Sequence, residues 1–189
     1  MKMKTIYSDL ISDWQSDDDR QFDKKVQDGR TAAITWMAGT RKPSGRVRDR
    51  LQQIGFSQDV IDAIILSLSE DGYLDDLRLA RSIVRRRQGR LAESAQALNL
   101  RMIRAALDPD AIRIVLGEEA DDLAAARSLL QARFSMSDRN LAEVLTDRSM
   151  DDRKHLTNRA WRLLAGRGFD QSVIREAMSS FGLRIDIDN

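Results

Sequence analysis

Apolar residues along this chain recur at helical rather than strand spacing. Val47, Leu51 and Ile54 make one stripe, and Val60, Ile61, Ile64, Ile65 and Leu68 make a second. Between them stand Gly55, which suits a helix C-terminus at positive φ, and Ser57, which suits an N-cap. Pro43 followed by Ser44 marks a helix start. This stretch predicts helices over Thr31 to Ala38, Ser44 to Ile54 and Asp59 to Leu68. The next predicts helices over Asp75 to Gln88, Ala92 to Ala105 and Asp110 to Leu116, with breaks at Gly72 and Gly89 and Pro109 in the first turn of the last. A third stretch opens at Asp121, and Leu141, Val144 and Leu145 predict an extra short helix inside a segment from Ser135 to Asp152.

These stretches repeat one another. Gly55-Phe56-Ser57-Gln58-Asp59-Val60-Ile61 recurs as Gly168-Phe169-Asp170-Gln171-Ser172-Val173-Ile174, identical at five of seven positions. Asp75-Asp76-Leu77-Arg78-Leu79-Ala80-Arg81-Ser82 recurs as Asp121-Asp122-Leu123-Ala124-Ala125-Ala126-Arg127-Ser128. Leu107-Asp108-Pro109-Asp110-Ala111-Ile112 is a degenerate middle copy of the first pattern. A repeated three-helix unit leaves an apolar edge that only a neighbour can cover. The expected fold is therefore all-α, with tandem three-helix repeats forming an elongated, curved molecule. Its expected bounds are an acidic, partly flexible extension at 1–30, repeats at 31–70, 71–119 and 120–182, the last with an inserted segment, and a tail at 183–189.

Composition narrows the chemistry. Charged residues make up 32% of the 189 and aromatics 5%, with two Pro and no Cys. That balance favours helices with wide solvated faces and removes disulfides, thiolate metal sites and Cys nucleophiles. No apolar run is long enough to span a bilayer and no signal peptide is evident, so a cytoplasmic protein without membrane contact is expected. The formal net charge of +1 hides segregation. Six Asp precede residue 24, whereas Arg78, Arg81, Arg85, Arg86, Arg87, Arg90, Arg101 and Arg104 face a single acid, Glu93, over their whole stretch.

Each candidate motif has a plainer reading beside it. The pairs Asp75-Asp76 and Asp121-Asp122 stand where helices begin, so capping is favoured over metal ligation. His155 sits among Asp151, Asp152, Arg153 and Lys154 and reads as surface rather than as a general base. There is no phosphate-cradling Gly-rich loop followed by Lys and Ser or Thr. Neither a catalytic residue, nor a cofactor, nor a metal is assigned. Trp14, Trp36 and Trp161 are dispersed, and the latter two lie among apolar helix positions, so no base-stacking platform is read from them. The Arg run could be a solvated face, but Arg85-Arg86-Arg87, with Arg81 one turn earlier, concentrates like charge that an anionic partner would offset.

Gly72-Tyr73-Leu74-Asp75-Asp76-Leu77-Arg78-Leu79-Ala80 resembles the signature of the RecX regulatory family, and Arg167-Gly168-Phe169 resembles its late Arg-Gly-Phe; the likeness covers roughly Thr31 to Phe181. The resemblance implies a non-enzymatic, monomeric modulator that binds the RecA filament on single-stranded DNA and interferes with its ATPase and strand exchange, in recombination, repair and the SOS response. Contact with single-stranded or duplex DNA through basic helices is left open. The eight arginines from Arg78 to Arg104, together with Arg46, Arg50 and Arg167, are the expected partner-binding residues. Gly55, Phe56, Gly72, Tyr73, Asp75, Asp76, Gly168 and Phe169 are the expected structural signature. The second repeat departs from the family pattern, reading Leu91-Ala92-Glu93-Ser94-Ala95-Gln96 and ending Ala106-Leu107. Other readings are a helix-turn-helix transcription regulator, against which the repeat argues, a helical scaffold without nucleic acid, and a metal-dependent nuclease using the Asp pairs.

Overall fold

The structure is a computed structural model that describes residues 3–134 and 150–183, with side chains from residue 18 onward. The short helix expected around Leu141 lies outside the described residues. All described regular structure is helical. The helices are α1 (Met3–Met37), α2 (Ser44–Ile54), α3 (Gln58–Glu70), α4 (Asp76–Arg86), α5 (Ala95–Arg104), α6 (Pro109–Glu119), α7 (Asp122–Phe134), α8 (Met150–Ala165) and α9 (Gln171–Ser179), with a 3₁₀ turn at Gly89–Leu91 before α5. The largest departure from the sequence reading is α1. Expected over Thr31 to Ala38, it begins at Met3, so the acidic stretch is part of one long helix.

The chain forms two compact units, residues 1–76 and 77–189. In the first, Val47 and Leu51 of α2 and Val60, Ile61, Ile64, Ile65 and Leu68 of α3 close a core with Ala33 and Met37 of α1. Full burial of a side chain such as Leu51 or Ile64 stabilises by about 1.5–3 kcal/mol relative to exposure. Gly29 is buried in the middle of α1, and a Cβ there would run into Ile64. Its lack of a side chain therefore lets α1 and α3 approach closely, at the modest cost that glycine imposes on a helix interior.

The second unit holds two clusters. Ala80 and Val84 of α4 pack with Leu98 and Met102 of α5 and with Leu107, Ile112 and Val115 around α6. Leu129 and Leu130 of α7 pack with Leu164 of α8, Ile174 and Met178 of α9, and Phe169 between them.

Asp76, Asp121 and Asp122 bind helix N-termini, with a division of labour that the sequence did not reveal. Asp76 is buried and reaches back across 32 residues to accept from Ser44 N at 3.0 Å and the Ser44 hydroxyl at 2.7 Å. Asp122 likewise accepts from Ala95 N at 2.6 Å. The second Asp of each pair thus satisfies an orphan amide at the start of an earlier helix, α2 or α5. Asp121 does what the sequence reading expected of both, accepting from Ala124 N of its own helix at 2.9 Å.

The helix ends follow a shared plan. Gly55 (φ 104°) and Gly168 (φ 83°) take the expected left-handed conformation, and Ala106 (φ 64°) takes the same one in the middle copy. Each is followed by an apolar residue whose amide bonds back into the helix: Phe56 to Leu51 O, Leu107 to Met102 O, Phe169 to Leu164 O. Ser57 occupies the N-cap position of α3 but makes no capping bond. Its hydroxyl instead donates to Asp59, lowering that carboxyl's pKa. Asp170, at the corresponding place, accepts from Ser172 N at 2.8 Å.

Candidate partner-binding surface

The basic run divides into two populations once folded. Glu93 precedes the N-cap of α5 and is only 8% exposed. Arg101, two turns along α5, grips it through two bonds of 3.0 and 2.7 Å. Arg87, just past the end of α4, lies 3.5 Å away, and Arg167, in the turn after α8, 4.0 Å away. Three arginines from three elements thus share one carboxylate. The Arg101 hydrogen bonds hold the Glu93 pKa below its ordinary value against the opposing effect of burial, with Arg87 and Arg167 adding to them. The turn carrying Arg167 is docked at the same place, since Ser94 N donates to the Arg167 carbonyl at 3.2 Å.

Other arginines of the run also have partners within the chain. Arg81 on α4 reaches Glu118 and Glu119 at the end of α6, both at 3.0 Å. Arg90 Nε donates to the Ala132 carbonyl at 3.0 Å. Arg78 and Arg104 are exposed and engaged. Arg85 and Arg86 differ, because both are exposed and neither has a partner among the described residues. They occupy the last turn of α4, where free carbonyls favour positive charge. The helix end supplies part of the compensation for their proximity, but it leaves both guanidinium heads in water.

In the first unit Arg46 lies 3.9 Å from Asp49, and Arg50, exposed on α2, has no partner among the described residues. Phe56 is half-buried against the first core and Phe169 is buried in another. Tyr73 is different. It follows Gly72 (φ 74°) after α3 and remains 48% exposed although Leu74 beside it is buried. His155 is exposed on α8, and Trp36 and Trp161 pack against the cores. Trp14 lies outside the residues whose side chains are described. Among the described residues no group of His, Asp or Glu is arranged to hold a metal ion, and no helix is long and apolar enough to cross a membrane.

Glu93 was not assigned from sequence, and Asp76 was assigned only as a structural residue at the start of its own helix. Glu93 appeared only as the one acid in a basic stretch, which was itself the available signal: a lone carboxylate among eight arginines is a natural counter-ion. The long reach of Asp76 had no local signal.

The architecture has close counterparts among solved structures. RecX from Lactobacillus salivarius superposes with a TM-score of 0.60 at 18% identity, covering 85% of this chain and 98% of that one. This chain has a RecX-like fold. A second structure, of regulatory protein RecX, matches with a TM-score of 0.56 at 11% identity over 84% of this chain and 74% of that one. No protein-family model matches the sequence, and no curated protein matches it. The likeness that these comparisons show is therefore one of fold.

Proposed function

We propose that this protein is a RecX-like regulator that binds the RecA filament on single-stranded DNA and restrains its ATPase and strand exchange. It acts in the cytoplasm, as a monomer, through binding rather than catalysis. The observation that carries the reading is the exposed pair Arg85 and Arg86, free of partners among the described residues on a RecX-like fold. A filament of protein on nucleic acid presents an anionic surface that such a pair would meet. Arg50 is a second contact on the same argument, with Arg46, Arg78 and Arg104 contributing at the margins. Arg81, Arg87, Arg90, Arg101 and Arg167 serve mainly to shape the surface that carries the contacts.

We propose also that the chain is built of tandem repeats with bounds 31–70, 71–119 and 120–182, preceded by the acidic extension at 1–30, whose later residues Phe22, Val26 and Gly29 pack on the first core. The repeated left-handed turns at Gly55, Ala106 and Gly168 and the two backward-reaching aspartates support this division.

The test is ATP hydrolysis by the cognate RecA on single-stranded DNA while this protein is titrated in. The rate should fall, and a variant with Arg85→Ala and Arg86→Ala should need a higher concentration for the same effect. A rate that stays constant across the titration removes the proposal.

A further inference from the structure

The half-exposed Tyr73 borders a cavity of about 200 Å³ in the first unit, together with Ile34, Met37, Arg41 and the residues of two turns, Gly72 and Gly39-Thr40. One turn is Gly72, whose positive φ brings Tyr73 out immediately after α3. Tyr73 N donates to the Leu68 carbonyl at 2.9 Å, and buried Leu74 anchors the following residue, so the ring is presented from a fixed support. The other turn, at the end of α1, has two successive left-handed residues, Ala38 (φ 41°) and Gly39 (φ 75°). Alanine is disfavoured in that conformation, so this turn, whose Gly39 lines the cavity, holds strain.

Charge at this rim is positive. Arg41 is exposed and has no partner among the described residues. Next to it, Lys42 holds its ammonium 4.8 Å from the centre of the Trp36 ring. Asp71, an acid of the Tyr73 turn, is already neutralised by Arg30 at 2.6 Å. The space is smaller than the roughly 300–1,000 Å³ of sites for drug-sized ligands, which suits one planar ring system rather than a larger molecule. A slot with apolar side chains, an aromatic ring at its edge and a cation without a partner among the described residues are the features by which single-stranded nucleic acid is held: the base lies against the ring and its phosphate meets the guanidinium.

We propose that this cleft binds one nucleobase of single-stranded DNA, stacked on Tyr73 with the adjoining phosphate on Arg41. The choice of DNA as the strand rests on the RecA reading; the site itself does not, because it can be probed with RecA absent. Binding of the full chain to a fluorescein-labelled oligodeoxythymidylate, followed by anisotropy, is compared with an abasic strand of equal length and with thymidine monophosphate.

The base-bearing strand should bind about tenfold more tightly than the abasic one, as expected when one base gains an aromatic stack. Tyr73→Ala should erase that preference and Tyr73→Phe should retain it. Tyr73→Leu, which keeps apolar bulk without a flat face, should also lose it, and serves if the Ala variant is unstable. Arg41→Ala should weaken both strands and reduce the salt slope by about 0.7, the share of one phosphate on a single strand. Equal binding of both strands by the parent overturns the proposal, as does a well-folded Tyr73→Leu protein that keeps the preference. Monophosphate binding as tight as the strand would assign the cleft to free nucleotides instead. Loss of the effect on RecA in a Tyr73 variant with unaltered strand binding would give the cleft to a protein side chain.

Discussion

The turns at Gly55-Phe56 and Gly168-Phe169 have nearly the same sequence, the same left-handed glycine and the same return bond from the phenylalanine amide, yet they stand in different surroundings. A Cβ on Gly55 would meet open space, whereas one on Gly168 would lie 2.9 Å from Ser94 Oγ and 3.3 Å from Ala97 Cβ. The residue before Gly55 is Ile54, 47% exposed; the residue before Gly168 is Arg167, which faces Glu93. One turn merely ends a helix. The other also docks against the start of α5 and completes a charge cluster. A repeated backbone solution thus acquires a second task wherever a neighbouring element gives it one.

The largest test of this contrast removes the partner that only the second turn possesses. Breaking a buried ion pair costs roughly 3–5 kcal/mol, and the partial exposure of Arg87, Arg101 and Arg167 reduces the expected loss for Glu93→Ala to about 2–3 kcal/mol. Urea denaturation measures it, and a loss below 0.5 kcal/mol would make the cluster a surface network of little consequence. The same group predicts a pH effect. Because Arg101, with Arg87 and Arg167, lowers the folded-state pKa of Glu93, its contribution is complete above the ordinary glutamate value of about 4.3 and disappears as pH falls through the lowered folded value. Glu93→Gln should therefore flatten the acid limb of the stability curve.

Next come the glycines. Gly55→Ala should cost about 1 kcal/mol, from left-handed backbone alone, and Gly168→Ala about 2 kcal/mol because Ser94 and Ala97 must also give way. Equal losses in thermal melts would mean that the neighbours of Gly168 yield freely, and the contrast between the turns would fail. The middle copy sharpens it from the other side. Ala106 holds φ 64° with a side chain, so Ala106→Gly should raise stability, by about 1 kcal/mol. A fall in stability would show that its methyl contributes more packing than its backbone loses.

The smallest expected change in stability belongs to the surface pair. Arg85→Ala and Arg86→Ala should each stay within about 0.5 kcal/mol of the parent, while Arg87→Ala, which takes a cation from Glu93, should exceed them. A destabilised Arg85 variant would place that residue in the fold instead of on the contact face.

What sequence by itself determined was the local and periodic part of this protein. Helical period, Pro43 and Pro109 at helix starts, and glycines at helix ends are effects of a few neighbouring residues, and repetition made them legible twice over. The all-α class and the resemblance of Gly72 to Ala80 followed from the same short-range information. The tertiary structure alone decided which charges meet. Whether an arginine is bound or free depends on carboxylates as far as 37 or 38 residues away, as Glu118 and Glu119 are from Arg81. Asp76 looked like a cap for its own helix and caps α2, since an orphan amide accepts any oxygen that the fold brings to it. Tyr73 stands half in solvent beside buried Leu74, because exposure is set by what packs above a ring and not by the residues beside it in the chain.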